Sequence, residues 1–136
     1  MALFRVAQDE AAPVARAVSA ALARRDAGLA LSVDRAAGGA RSLQVGIALH
    51  VGEAVVGLVG NPVRQINYTA LGHAVVIAAR LQGLALGGEV VVSQDVKAAV
   101  ETRFELEARQ PVQVKGISQP VLCYAVKRDL QMRDQR

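Results

Sequence analysis

The chain has 136 residues, 52% hydrophobic and 21% charged, a length that builds one globular domain around a single core. Two Phe, two Tyr and no Trp leave the core to Ala, Val, Leu and Ile and provide no aromatic platforms for stacking bases, so no nucleic-acid partner is expected. Sixteen Lys plus Arg against twelve Asp plus Glu give a formal charge of +4, which suits simple solubility, an anionic nucleotide or nucleic acid.

The chain opens on Ala2 to Val6, a short apolar run read as a strand, with Asp9 and Glu10 following too soon for a secretory signal peptide. A helix is expected from Glu10. Acidic residues suit its positive end, Pro13 is tolerated in its first turn, and Val14, Ala17, Val18, Ala21 and Leu22 recur at helical spacing. Arg24 and Arg25 suit its other end and Gly28 is expected to close it. Leu29 to Ser42, with Gly38-Gly39, reads as a connection containing an extended piece at Leu29 to Val33.

Leu43 to Leu49 and Ala54 to Val59 are two β-rich runs, expected to form a hairpin through His50-Val51-Gly52-Glu53. The glycines at 46, 52, 57 and 60 do not make a phosphate loop, since neither Gly-Lys-Ser/Thr nor Gly-x-Gly-x-x-Gly opens a helix after them. Asn61-Pro62 marks a turn, Val63 to Asn67 leads back, and a helix follows from His73 to Leu84, stopped by Gly87-Gly88. On it His73, Val76, Arg80 and Leu84 share one face, where Arg80 reads as a buried cation. It needs either a carboxylate, such as Glu53 or Glu89, or an anionic ligand. His73 is expected to cap the helix, and His50 is too distant in sequence to suggest a metal pair.

Glu89 to Ser93 carries three consecutive valines and reads as a strand covered on both faces. Ser93 is expected to cap the helix Gln94 to Val100. Arg103 to Ala108 and Val121 to Val126 are strands, and a charged tail is expected from Lys127 to Arg136. Cys123, the single cysteine, excludes an internal disulfide, suits a reducing cytoplasmic compartment and reads as a small buried hydrophobe. No run of about 18 apolar residues occurs, so no membrane segment is expected in this chain. Helices alternating with strands and hairpins make the fold α+β.

Two stretches, Val45 to Gly60 with its Gly46-Ile47-Ala48-Leu49-His50-Val51-Gly52-Glu53, and Asn67-Tyr68-Thr69-Ala70-Leu71-Gly72 running into Arg80-Leu81, resemble the catalytic domain of class III adenylate and guanylate cyclases. Val114-Lys115-Gly116-Ile117 and Tyr124 extend the likeness. The resemblance implies a ferredoxin-like nucleotide cyclase fold, truncated, with a mainly antiparallel sheet flanked by helices: residues 1–126 as a partial cyclase domain and 127–136 as a tail. The implied activity converts ATP or GTP to a cyclic nucleotide plus pyrophosphate, with Mg²⁺ or Mn²⁺ held by two aspartates in the complete family domain. Met1 to Phe4 resembles the start of the third family strand, so neither aspartate has a counterpart. Asp9, Asp26 and Asp34 match no metal position, and no metal ligand or cofactor is expected of this chain.

By the same resemblance, Arg80 matches the catalytic arginine that contacts the phosphates. Thr69 matches a purine-contacting position, or else is a turn hydroxyl satisfying backbone. Lys115 matches the lysine reaching the terminal phosphates, or else is simply exposed. Val76 stands where the family has asparagine, so this chain is expected to be inactive alone. The family site is shared across a head-to-tail pair. A homodimer, or a heterodimer with another cyclase domain, is therefore expected, with this chain supplying Thr69, Arg80 and Lys115. The resemblance also implies that the family's first strand, which would lie between the strands at Ala2 to Val6 and Leu43 to Leu49, is missing here; its absence is expected to be compensated by strand exchange or edge pairing with a second copy, or else the chain is a fragment. The alternatives are a non-catalytic module that regulates a complete cyclase and a basic nucleotide or nucleic-acid binding module.

Overall fold

Val90, Val91 and Val92 are all buried, and three adjacent residues of one strand can be buried together only if both faces of the sheet are covered. The computed structural model, which describes residues 3, 11–39, 45–61 and 65–133, shows how. Its elements run α1 (Ala12–Ala37), β1 (Ile47–Leu49), β2 (Val55–Asn61), β3 (Gln65–Leu71), α2 (His73–Leu84), β4 (Val90–Ser93), α3 (Gln94–Val100), β5 (Phe104–Ala108), β6 (Cys123–Asp129) and α4 (Leu130–Arg133). Four strands form a sheet in the order β1-β4-β6-β5. β1 lies parallel to β4, with Ile47 opposite Val90, whereas β4–β6 and β6–β5 are antiparallel. The expected α+β fold with a mainly antiparallel sheet is observed.

One face of β4 sends Val90 and Val92 into a core with Val14, Val18 and Leu22 of α1, Val96 and Val100 of α3, and Phe104. The other face sends Val91 against Leu81 of α2 and Cys123 of β6, flanked by Ile77, Ala85 and Val112. At about 25 cal/mol per Å² of apolar surface removed from water, this two-sided burial is the main stabilising term. Among the described residues no helix is long and apolar enough to cross a membrane.

Several expectations are corrected. β1 and β2 do not pair across His50–Glu53. β1 joins β4, and β2 instead pairs with β3 in a separate two-stranded ribbon, from Val55 opposite Leu71 to Asn61 opposite Gln65. The alternation of both runs is satisfied equally by either partner, so sequence alone does not choose. α1 does not end at Gly28 and has no extended piece at 29–33. It continues to Ala37, and the glycine with a left-handed backbone is Gly39, φ 81°. A glycine inside a helix costs only about 1 kcal/mol, which helix formers such as Ala27, Leu29, Ala30 and Leu31 readily offset.

Lys127 to Arg133, expected as the start of a frayed tail, are ordered into elements. β6 runs on to Asp129 and α4 follows, held by cross-strand pairs Lys127–Glu107 (2.8 Å), Arg128–Glu105 and Arg103–Asp129 (3.1 Å). Of the strand expected over Ala2 to Val6 only Leu3 is described; the rest of it, with the pairing meant to compensate a missing neighbour, lies outside the described residues.

Candidate functional site

β3 passes into α2 through Gly72 alone. Gly72 has φ 137°, a conformation that L side chains rarely adopt, and an added Cβ would sit 3.5 Å from the Glu53 carbonyl oxygen. Its own carbonyl accepts from the amides of Val75 (3.1 Å) and Val76 (3.3 Å), which starts the helix. No side chain caps it, so the role expected of His73, which is exposed, is not made.

α2 buries Leu81 and half-buries Ile77 against the sheet. The opposite face carries His73, Val76, Arg80 and Leu84, the grouping expected from spacing, but it is the solvent face: Val76 is 49% exposed and Arg80 is exposed. The helix is apolar nearly all round, so its pattern cannot say which stripe the sheet takes. The buried, ion-paired reading of Arg80 is therefore corrected. Glu89 accepts the Leu86 amide (2.8 Å) and pairs with Arg109, Glu53 is exposed, and Arg80 has no carboxylate partner among the described residues.

Arg80 borders a groove of about 540 Å³. Leu81 and Leu84 share its wall, Val91 and Cys123 form its floor, and the segment from Ala108 to Gln113 makes the far side. The Cys123 thiol donates to the Gln110 carbonyl (3.4 Å), and burial pushes its pKa up against the opposing charge of Arg109. Cys123 is thus the buried hydrophobe expected. Two residues beyond the groove, Lys115 is exposed in a turn where Gly116 has φ 88°. Thr69 stands in β3 opposite Gly57, at the other end of α2 from the groove. Arg80 and Arg109 are brought to one groove, and Lys115 is not among its described lining.

A second cleft, about 490 Å³, joins His50, Gly52 and Glu53 to His73 and Ile77 of α2 and to Asp95 of α3. The two histidines, unrelated by spacing, meet here because the β1–β2 connection crosses the start of α2. His50 Nδ1 lies 2.7 Å from Ser93 Oγ, which explains why Ser93, at the expected N-cap of α3, makes no side-chain cap bond. Burial pushes the His50 pKa below 6.5, with the Asp95 charge opposing.

The sequence pattern that defines the adenylate and guanylate cyclase catalytic domain matches residues 1–128. The chain belongs to this family. The adenylyl cyclase CyaB from P. aeruginosa is 27% identical and superposes with a TM-score of 0.78 over 93% of this chain and 67% of that one. The guanylyl cyclase Cya2 is 25% identical, TM-score 0.77, over 90% of this chain and 62% of that one. The chain thus spans about two thirds of each of these cyclases.

Cyclase domains of this family use Mg²⁺ or Mn²⁺, and the residues around Arg80 do not fit such an ion. The groove offers two guanidiniums, a thiol, the neutral amides of Gln110 and Gln113 and apolar side chains, with no carboxylate among its described lining, and the nearby Glu89 carboxylate is already engaged twice. In the second cleft too, no three His, Cys, Asp or Glu side chains among the described residues are arranged to hold one ion.

Proposed function

We propose that this cyclase domain supplies the nucleotide-gripping half of a shared active site and does not form cyclic nucleotide alone. Arg80 binds phosphate oxygens of ATP or GTP, Lys115 reaches the terminal phosphates, and Thr69 meets the purine edge. The observation that carries this reading is Arg80 itself, exposed beside a groove on helix α2 with no carboxylate partner among the described residues. A guanidinium presents a planar fork of donors that fits two phosphate oxygens at once and stays charged at any working pH.

In cyclisation the 3′-hydroxyl attacks the α-phosphate and pyrophosphate leaves, so negative charge builds on oxygens that fixed donors must meet. Val76, one turn before Arg80 on the same face, meets none of it. The loss of one such preorganised donor typically raises a barrier by about 2–4 kcal/mol. Since the donors around Arg80 do not suit a divalent ion, a second cyclase domain is assigned the metal-holding carboxylates.

The ribbon supports such a partner. Val55 of β2 and the opposite Leu71 of β3 are 74% and 50% exposed on one face of it, and Val56 and Leu58 are 46% and 74% exposed on the other, apolar surface that a second cyclase domain, identical or not, would cover. The single cysteine and the proposed nucleotide ligand support a cytoplasmic assembly.

The test is complementation. The chain with ATP or GTP and Mn²⁺ gives no cyclic product by chromatography. Mixed with a complete cyclase domain whose own matching arginine is replaced, it restores product, and Arg80→Ala abolishes that rescue. Cyclic nucleotide made by the chain alone would overturn the reading.

A further inference from the structure

The two flanks of Arg80 differ. One turn towards the N-terminus of α2, the exposed Val76 offers no hydrogen bond. Towards the C-terminus lies the groove, and in it a second guanidinium, Arg109. Two like charges beside one apolar floor repel unless balanced, and the buried Leu81 of the wall with Val91 and Cys123 of the floor weaken solvent screening there.

Glu89 balances one of the two. Its Oε1 accepts the Leu86 amide and its Oε2 takes the Nη2 end of Arg109. No other hydrogen bond to the Arg109 side chain occurs among the described residues, and that side chain is 34% exposed, so most of its five donors remain free. Its main chain is fixed, with the amide donating to the Cys123 carbonyl at 3.0 Å. Arg109 and Cys123 line the same groove.

We propose that Arg109 is a second polyphosphate-binding residue of this domain, gripping an anion together with Arg80 on the C-terminal side of Arg80, with Glu89 as the counter-ion that the anion displaces in part. This rests on the nucleotide-binding reading for the identity of the ligand, though not for its charge. Arg109 then continues a cationic path from Arg80 along the segment that leads to Lys115.

Calorimetric titration of the full chain with inorganic tripolyphosphate, ATP and GTP tests it. Arg109→Ala weakens tripolyphosphate binding about tenfold, the loss of a charge-assisted contact, and Arg109→Lys keeps part of it. Glu89→Gln preserves the acceptor for Leu86 but removes the competing charge, and so tightens tripolyphosphate binding several-fold. Wild-type binding by Arg109→Ala would overturn the proposal. So would weakening by Glu89→Gln, the mark of an ion pair that only braces the fold. Should Arg109→Ala melt early, Arg109→Lys and Glu89→Gln decide the matter alone. Tripolyphosphate bound without ATP or GTP would sink the nucleotide reading and leave Arg109 in place. ATP bound equally by wild type and by a folded Arg109→Ala would sink only this inference, and a wild type binding neither anion would sink both.

Discussion

His50 Nδ1 and Ser93 Oγ, 43 positions apart in sequence, lie 2.7 Å from each other. The contact ties the end of β1 to the end of β4, beside the cleft that α2 borders. Ser93 is among the most buried side chains of the chain, so Ser93→Ala leaves a half-buried imidazole nitrogen without its partner. The expected cost is about 1–3 kcal/mol in urea unfolding. Because Ser93 does not cap α3, Ser93→Thr, which retains the hydroxyl, should recover more of that loss than Ser93→Asp, a good capping residue.

The same imidazole gives a pH dependence. Its folded pKa lies below the ordinary 6.5, so the unfolded chain binds its proton first as pH falls. Stability from this group is complete above about 6.5 and declines as pH drops through that value towards the folded pKa. Unfolding midpoints in urea should therefore fall between about pH 7 and 5.5, and the fall should be shallower in His50→Gln. An equal slope in both proteins would show that other groups govern it.

Gly46 precedes β1 where it passes the end of α2. A Cβ there would lie 2.7 Å from the Ala85 carbonyl oxygen, a clash between two backbones that neither can relieve by rotating a side chain. Gly46→Ala is expected to destabilise by about 1–3 kcal/mol, read from chemical denaturation, whereas Gly57→Ala, with open space at its Cβ, should be tolerated without such a clash.

Much of this was legible beforehand, and the failures have physical causes. The Tyr68-Thr69 to Arg80 stretch announced strand, glycine and helix because Gly72 meets a backbone need that few residues meet. The three valines of β4 announced two covered faces. The partner of β1 was not legible, since strand alternation marks a face and not a neighbour. Arg80 was misjudged as buried because an all-apolar helix hides which side meets the sheet. Arg109 escaped notice because its role depends on Glu89, twenty residues away, and on a groove that exists only after β5 and β6 pair. The meeting of His50 and His73 was hidden for the same reason.

Cys123 is 4% exposed and its thiol is held above the ordinary range by burial. As the only cysteine, it reports on the groove floor. A water-soluble thiol reagent should label the native chain far more slowly than the chain in urea. Arg109→Ala, which removes an opposing positive charge, should slow native labelling further, provided its melting temperature is unchanged.

Val76 lends itself to a gain-of-function test. Val76→Asn replaces an exposed apolar side chain one turn from Arg80 with a donor, at no expense to the core. In a mixed assembly with a complete cyclase domain, cyclic product formed at the site containing Arg80 should rise about 10²-fold. No change in rate would mean that Val76 does not face the reacting phosphate.

A single residue, Gly72, separates the ribbon from the helix that carries Arg80, so whatever seats against Val55 and Leu71 holds the handle of that helix. On the proposed function, association with a partner and the aim of the guanidinium are thereby geared to each other, and an inserted residue at that joint should weaken nucleotide binding as the loss of Arg80 does.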